Sequence, residues 1–500
     1  MEKRISKRIL RLKEKMLSEP RFASIEQAKI ITESYREHEN EPRILQRAYS
    51  LRAALEKLRI RIEPGELIVG NRTAGVRCGV VFPESGSSWV DREFETLPTR
   101  PQDRFQVREE DIRYFREVIR PYWKGKSLED ILKRDYGKEI AEIARVVKIN
   151  QQDHAQGHIC PDCALWLRKG PEGLRLEAER RMRDADDEKK IFYQSMQIVM
   201  EGVSHFMLRY AREMRRMAES EKSDAERREM EGVAMNCERL AKYPAGSFHE
   251  AVQSIWFLMV VLHMESNASS FSPGRLDRIL YPYYRADAER GLIDRESALE
   301  IVECLFLKFN EIVYMRNAHS AKYFAGFPIG FNIAVGGQDE EGNNVENDVS
   351  FLLLKAQEDI GLPQPNLSVR LNENTPDDIL KQAIKVVSKG SGMPQFFNDK
   401  AVIPALEALG VSHRDAMDYA IVGCVELTTQ GNNLGWSDAA MFNLNKVLEL
   451  TLTGGKDLLT GEQIGEDFGS LLTYHDFGEL EEAFRKNLDY FMEKMIPACE

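Results

Sequence analysis

Five hundred residues, 43% hydrophobic and 30% charged, can bury a large core, and length alone allows roughly two to four domains or one big barrel. With 69 basic against 81 acidic residues the net charge is -12, which excludes a broad basic field for nucleic acid or an anionic membrane and leaves small molecules and protein partners. Seven cysteines, an odd and sparse set at irregular spacing, do not suggest a disulfide framework, so any thiol chemistry is expected to rest on single cysteines.

Met1 to Lys15 alternates Lys and Arg with Ile and Leu at helical spacing and lacks the apolar core of a secretion signal, so a cytoplasmic location is expected. Helical periodicity continues to about Leu58, punctuated at Thr32-Glu33-Ser34-Tyr35 and Glu41-Pro42, and predicts a helical opening over about residues 1–60. Pro64-Gly65 is a turn, after which Leu67-Ile68-Val69-Gly70 reads as the first buried strand. Charged, periodic, glycine-poor stretches predict helix from about Glu109 to Lys148 and from Asp184 to Lys242. Ala251 to Met264 is apolar for 14 residues, short of the roughly 20 of a membrane span, and contains Gln253, Ser254 and His263; it reads as a buried helix. Beyond Ser272-Pro273-Gly274, helical segments alternate with short apolar pieces at Gly330–Val335, Asn366–Leu371, Gln395–Phe397 and Ala420–Val425, the pattern of an α/β sheet or barrel. No repeat or long linker divides the chain, so one compact body over residues 1–500 is expected, with the barrel and its surrounding helices from about residue 61. The helical pattern of Leu480 to Met495 is followed by nothing that covers it, and the sequence reads as cut short.

Four constellations carry chemistry. In Ala420-Ile421-Val422-Gly423-Cys424-Val425-Glu426, an extended backbone puts Cys424 and Glu426 on one face, and Gly423 permits close approach. A neighbouring carboxylate and an apolar surround oppose thiolate formation, so the thiol stays neutral and suits hydrogen-atom chemistry; a buried structural cysteine beside a surface glutamate is the bland reading. The run His154-Ala155-Gln156-Gly157-His158-Ile159-Cys160-Pro161-Asp162-Cys163 has zinc-like residues, but Gly157 and Pro161 argue for a loop on which chelation by all four is awkward. Glu265 to Arg275 is a hydroxyl-rich turn after the apolar helix, able to present Ser269 and Ser270 to a polar ligand or merely to end that helix. Finally, the polar loop after Cys424 returns Asp438, either as a second acid–base group or as the cap of a helix over Ala439 to Leu450.

These segments resemble the glycyl radical enzymes of the pyruvate formate-lyase superfamily, most closely their glycerol (diol) dehydratase-like branch. The resemblance rests on Thr32-Glu33-Ser34-Tyr35, Glu66-Leu67-Ile68-Val69-Gly70-Asn71, Tyr122-Trp123-Lys124-Gly125-Lys126, Ser272-Pro273-Gly274-Arg275, Gly336-Gly337-Gln338 and Gly423-Cys424-Val425-Glu426, in the family's order. It implies a ten-stranded α/β barrel of two five-stranded half-barrels wrapped by helices, with Cys424 on a central loop. It further implies no bound cofactor or metal. A glycyl radical is instead installed by a partner, an S-adenosylmethionine/iron-sulfur activating enzyme, and relayed to Cys424. In that pattern Glu426 deprotonates a substrate hydroxyl, while Asp438 and His158 orient hydroxyls and protonate the leaving group. The subtype is set by Cys-x-Glu, since other branches carry two adjacent cysteines or lack the glutamate.

Two departures bear on the substrate: Ser269 stands where relatives have a histidine, and Phe327 where they have a tyrosine, so a substrate other than glycerol is expected. The carboxyl-terminal segment with the radical glycine is absent from the 500 residues, and a homodimer is the family expectation. The activity implied is a dehydratase-like radical lyase acting on a small hydroxylated molecule. The alternatives are radical cleavage of a carbon–nitrogen or carbon–sulfur bond, arylacetate decarboxylation, an inactive scaffold, or a zinc module at His154 to Cys163.

Overall fold

The helix Phe248–Glu265 is the expected buried one, and in the computed structural model of the protein Ile255, Trp256, Phe257, Met259 and Val260 on it are fully buried. The structure describes residues 5–150, 152, 157–326, 329–433 and 439–500. Gln253 and His263, two polar interruptions of this helix, have partners for their side chains. Gln253 spans the peptide groups of Val69, donating to its carbonyl at 2.7 Å and accepting from its N–H at 2.8 Å. The carbonyl of Ser254 accepts from Trp166 Nε1 at 3.0 Å, and His263 Nδ1 donates to the carbonyl of Met259 at 2.7 Å.

These bonds also correct the first expected strand. Leu67–Gly70 is buried but belongs to no sheet. Besides Gln253, His249 Nε2 donates to the carbonyl of Leu67 at 2.7 Å and Trp256 Nε1 to that of Gly70 at 3.0 Å. Buried peptide groups must be paired, and here helix side chains do what neighbouring strands would do.

The helical opening consists of Lys7–Ser18, Glu26–Glu37 and Arg43–Lys57. The later charged stretches form Asp187–Ser220 and Asp224–Leu240, capped by the side chains of Asp186 and Ser223. The strands, in chain order, are β1 (Ala23–Ser24), β2 (Gly79–Val80), β3 (Val147–Ile149), β4 (Asn332–Gly336), β5 (Asn366–Leu371), β6 (Gln395–Asn398), β7 (Tyr419–Val422), β8 (Glu426–Thr429) and β9 (Ala440–Phe442). β3 is a second correction, because helix was expected to run through Lys148. The expected strand over Ala420–Val425 is a third: the segment holds β7 and the tip of an antiparallel hairpin, with Val422 opposite Glu426.

By its contacts the chain groups into two compact units, each assembled from segments distant in sequence, which is why no linker marks a boundary. The first comprises residues 1–82, 89–119 and 157–435. In it β4, β5 and β6 form a parallel sheet in which Asn332 faces Asn366 and Ser368 faces Gln395. Parallel bridges from Gly274 to Ile333 and from Ile159 to Phe271 add two more extended segments in the same sense. This is the mixed α/β architecture that the alternating pattern predicts.

The second unit comprises residues 83–88, 120–156 and 436–500. β3 pairs antiparallel with β9, and Ile143, Val147, Leu450 and Phe491 form its core with the helices Leu128–Ile143, Leu444–Leu452 and Phe477–Cys499. The helix expected from Ala439 starts instead at Leu444, capped by Asn443, because β9 occupies the intervening residues.

Burial, and after it the Arg72 guanidinium, pushes the His263 imidazole down to about 3. Its stabilising contribution is therefore complete above the unfolded value of 6.5 and is lost as pH falls from there toward 3. Between pH 6.5 and 5 the protein is expected to lose about 1.5 kcal/mol more stability than its His263→Gln variant, measured by urea unfolding.

Candidate active site

The hairpin β7–β8 turns through Gly423, Cys424 and Val425, so the cysteine sits at its tip. All four residues of β7 are buried, whereas Cys424 is exposed. Gly423 has a φ of +58°, and a Cβ there would lie 2.7 Å from Glu426 Oε2 and 2.8 Å from Ser270 Oγ. Glycine is thus favoured both by the left-handed backbone and by the close approach.

Three polar side chains hold the Gly423 peptide group. Its N–H donates to Ser272 Oγ at 3.2 Å, and its carbonyl accepts from Asn332 Nδ2 at 2.9 Å and Asn366 Nδ2 at 2.8 Å. Asn332 is fully buried at the start of β4; its Oδ1 accepts from Ser368 Oγ at 2.9 Å, and its own N–H donates to Ser272 Oγ at 3.2 Å.

The expected constellations meet at this tip. Glu426, the first residue of β8, is hydrogen-bonded to His158 through Nδ1 and Oε1, with 12% of the histidine side chain and 21% of the glutamate side chain exposed. His158 has a φ of +57°, and its N–H donates to the carbonyl of Ser269 at 3.1 Å. A Cβ on Gly157 would come within 1.9 Å of that Ser269 oxygen, so a glycine is what lets the two segments run this close. Ser270 is buried with a φ of +65°, and its N–H donates to the carbonyl of Ile329 at 2.6 Å. Asp438 and Phe327, like His154, lie outside the described residues. Cys160 and Cys163 are buried in different places: Cys160 packs with Ala420 and Val422 beneath the hairpin, and Cys163 lies in the main core.

Sequence reasoning missed Asn332, Asn366 and Arg316 here, whereas Ser272 belongs to the hydroxyl-rich turn read from the sequence. Asn332 and Asn366 carry the only signal available, a polar residue in or at the edge of an apolar run. Arg316 carries none. Its guanidinium lies 4.6 Å from the Tyr314 ring and 5.2 Å from the Phe324 ring. Burial holds its pKa below the usual arginine range, against the opposing influence of Tyr314, Asp103 and Cys424.

A thiol on a rigid tip beside a hydrogen-bonded carboxylate and imidazole can combine sulfur chemistry with proton transfer. The chain belongs to the pyruvate formate lyase-like family, whose model matches residues 1–500. It is 31% identical over 506 residues to (2S)-3-sulfopropanediol dehydratase of Klebsiella oxytoca, covering 98% of this chain and 61% of that one. Its structure resembles the glycerol-bound form of the B12-independent glycerol dehydratase from Clostridium butyricum, with a TM-score of 0.94, 34% identity and coverage of 99% and 64% of the two chains. A Roseburia inulinivorans structure described for 1,2-propanediol dehydration gives a TM-score of 0.95, 34% identity and coverage of 99% and 63%. The chain thus spans about three fifths of the length of the relatives it matches. Among the described residues no helix is long and apolar enough to cross a membrane.

Asn332→Ala is expected to lower stability by about 2 kcal/mol, because it leaves Ser368 Oγ without this acceptor and the Gly423 carbonyl with one donor. Adding Asn366→Ala removes the second donor and costs more than the sum of the single changes, as a double-mutant cycle in urea will show.

Proposed function

We propose that the protein is a glycyl radical lyase of the dehydratase type, acting on a small vicinal diol or a related hydroxylated molecule. The observation that supports this reading most is the Glu426–His158 pair beside the hairpin tip that carries Cys424. The likeness to dehydratase relatives also supports it. In this proposal the five parallel segments are part of a ten-stranded barrel of two halves, and the working protein is a cytoplasmic homodimer. The radical originates on a backbone glycine outside these 500 residues, charged by an S-adenosylmethionine/iron-sulfur activating enzyme.

The chemistry assigned to this chain then balances as follows. The Cys424 sulfur radical takes a hydrogen atom from a hydroxyl-bearing carbon, giving a thiol and a carbon radical. Glu426 takes the proton of that hydroxyl, and the neighbouring carbon–oxygen bond breaks with its electron pair leaving on oxygen. A proton from His158, or from Asp438, converts the departing group to water. The product radical recovers a hydrogen atom from the Cys424 thiol, so one diol becomes one aldehyde and one water. Ser269 and Ser270 contact substrate, and Ser269 and Phe327, in place of a histidine and a tyrosine, fit a substrate less polar than glycerol.

Anaerobic charging by the activating enzyme of the protein together with the segment that carries the radical glycine, followed by product analysis over small diols, tests the reading. Aldehyde formation is expected, abolished by Cys424→Ala and lowered in kcat by about 10²–10⁴ in Glu426→Gln with KM little changed. Turnover of no small diol, or full activity of Glu426→Gln, contradicts it.

A further inference from the structure

Holding the Gly423 peptide fixes one point of the hairpin, but a lever with a single fixed point can still turn. β7 is four residues long, about 10 Å from Tyr419 to the residue before the tip. At its root lies a buried ionic cluster to which the site described above assigns no part.

Arg370, on β5, is fully buried and forms a two-pronged ion pair with Asp399 through bonds of 2.9 and 3.0 Å. The same guanidinium donates to the carbonyl of Tyr419 at 3.0 Å and to that of Met417 at 3.0 Å. It also lies 3.8 Å from the centre of the Tyr419 ring, whose hydroxyl donates to Asp399 Oδ1 at 2.7 Å. Arg275 adds bonds to Asp418 Oδ1 at 2.8 Å and to the Gly336 carbonyl at 3.1 Å. A buried ion pair gives little net stability against an apolar packing of the same volume, because desolvation offsets the attraction; its best-attested use is to specify one arrangement among several.

Of the two carbonyls that Arg370 binds, that of Met417 ends the helix His413–Met417 and that of Tyr419 begins β7, so the guanidinium ties the strand to the end of the helix before it. A slip of β7 by one residue would withdraw the Tyr419 carbonyl from Arg370, and it would turn every side chain of the hairpin to the opposite face. Gly337 leaves no slack on the other side: a Cβ there would sit 2.6 Å from Arg370 Nε.

We propose that Arg370, with Asp399 and the Tyr419 hydroxyl, is a positioning residue that sets the register of β7 and thereby aims Cys424, acting through the backbone of residues 417–419 and touching no reacting atom. This rests on the reading of Cys424 as the reacting thiol, but its test needs no radical. Iodoacetamide is reacted with the intact, uncharged protein, and alkylation of Cys424 is timed by peptide mass spectrometry against Cys499, which lies in the other unit. In Arg370→Lys, which keeps the charge but loses the two-pronged geometry, the Cys424 rate relative to Cys499 is expected to rise at least about threefold. The rates at buried Cys237 and Cys304 stay as in the parent.

Tyr419→Phe removes one hydroxyl and keeps the ring; it carries the test if Arg370→Lys does not fold, with a rise of about twofold expected. An unchanged ratio in a folded variant overturns the positioning role and leaves the lyase reading standing. A parallel rise at Cys237 and Cys304 also overturns it, since that marks general loosening. Loss of radical turnover in the parent protein, by contrast, would strike the lyase reading and leave the alkylation result as it is.

Discussion

The peptide group of Gly423 is where the site is held. It is buried, so both its N–H and its carbonyl need partners. They come from three separate stretches: Ser272 from the segment after the apolar helix, Asn332 from β4 and Asn366 from β5. The tip cannot shift without leaving several buried polar groups unpaired at once, which is more costly than losing any one bond. Cys424 can therefore be exposed and still be fixed in place, because its rigidity comes from the residue before it.

The same economy governs the helical layer. Phe248–Glu265 is a core helix whose polar residues serve backbone that has no strand beside it, so Leu67–Gly70 is buried without belonging to a sheet. At the far end of that helix His263 packs edge-on against Phe271 at 4.8 Å between ring centres. Phe271 in turn bridges to Ile159, next to His158. Packing thus connects the apolar helix to the segments that bring Ser270 and His158 to the tip. The energetics sit in the core, and the chemistry sits at its edge.

How much of this was legible depends on what each residue type announces. Cys424, Glu426 and His158 could be picked out because thiols, carboxylates and imidazoles are conspicuous inside apolar or glycine-broken runs, and the structure brings His158 and Glu426 into contact. The helices could be read because their apolar period is long and repeated. The hairpin could not: Gly423-Cys424-Val425 lacks the Asn-Gly or Asp-Gly signature of a tight turn, so β7 and its tip read as a single strand. Asn332 and Asn366 were hidden for another reason. A polar residue at the end of a short apolar run looks solvent-facing until the fold shows that a peptide group needs it. β3 and β9 were lost because strands of three residues are too short to show a period.

The central claim is that Cys424 carries the reacting radical at a tip served by Glu426. Electron paramagnetic resonance of the protein, anaerobically charged together with the segment that carries the radical glycine and recorded before and after addition of a small diol, tests it most directly. The account predicts an organic radical signal that changes on substrate addition in the parent protein and stays unchanged in Cys424→Ala. A charged parent protein without any organic radical, or a Cys424→Ala variant that responds to substrate as the parent does, would contradict it.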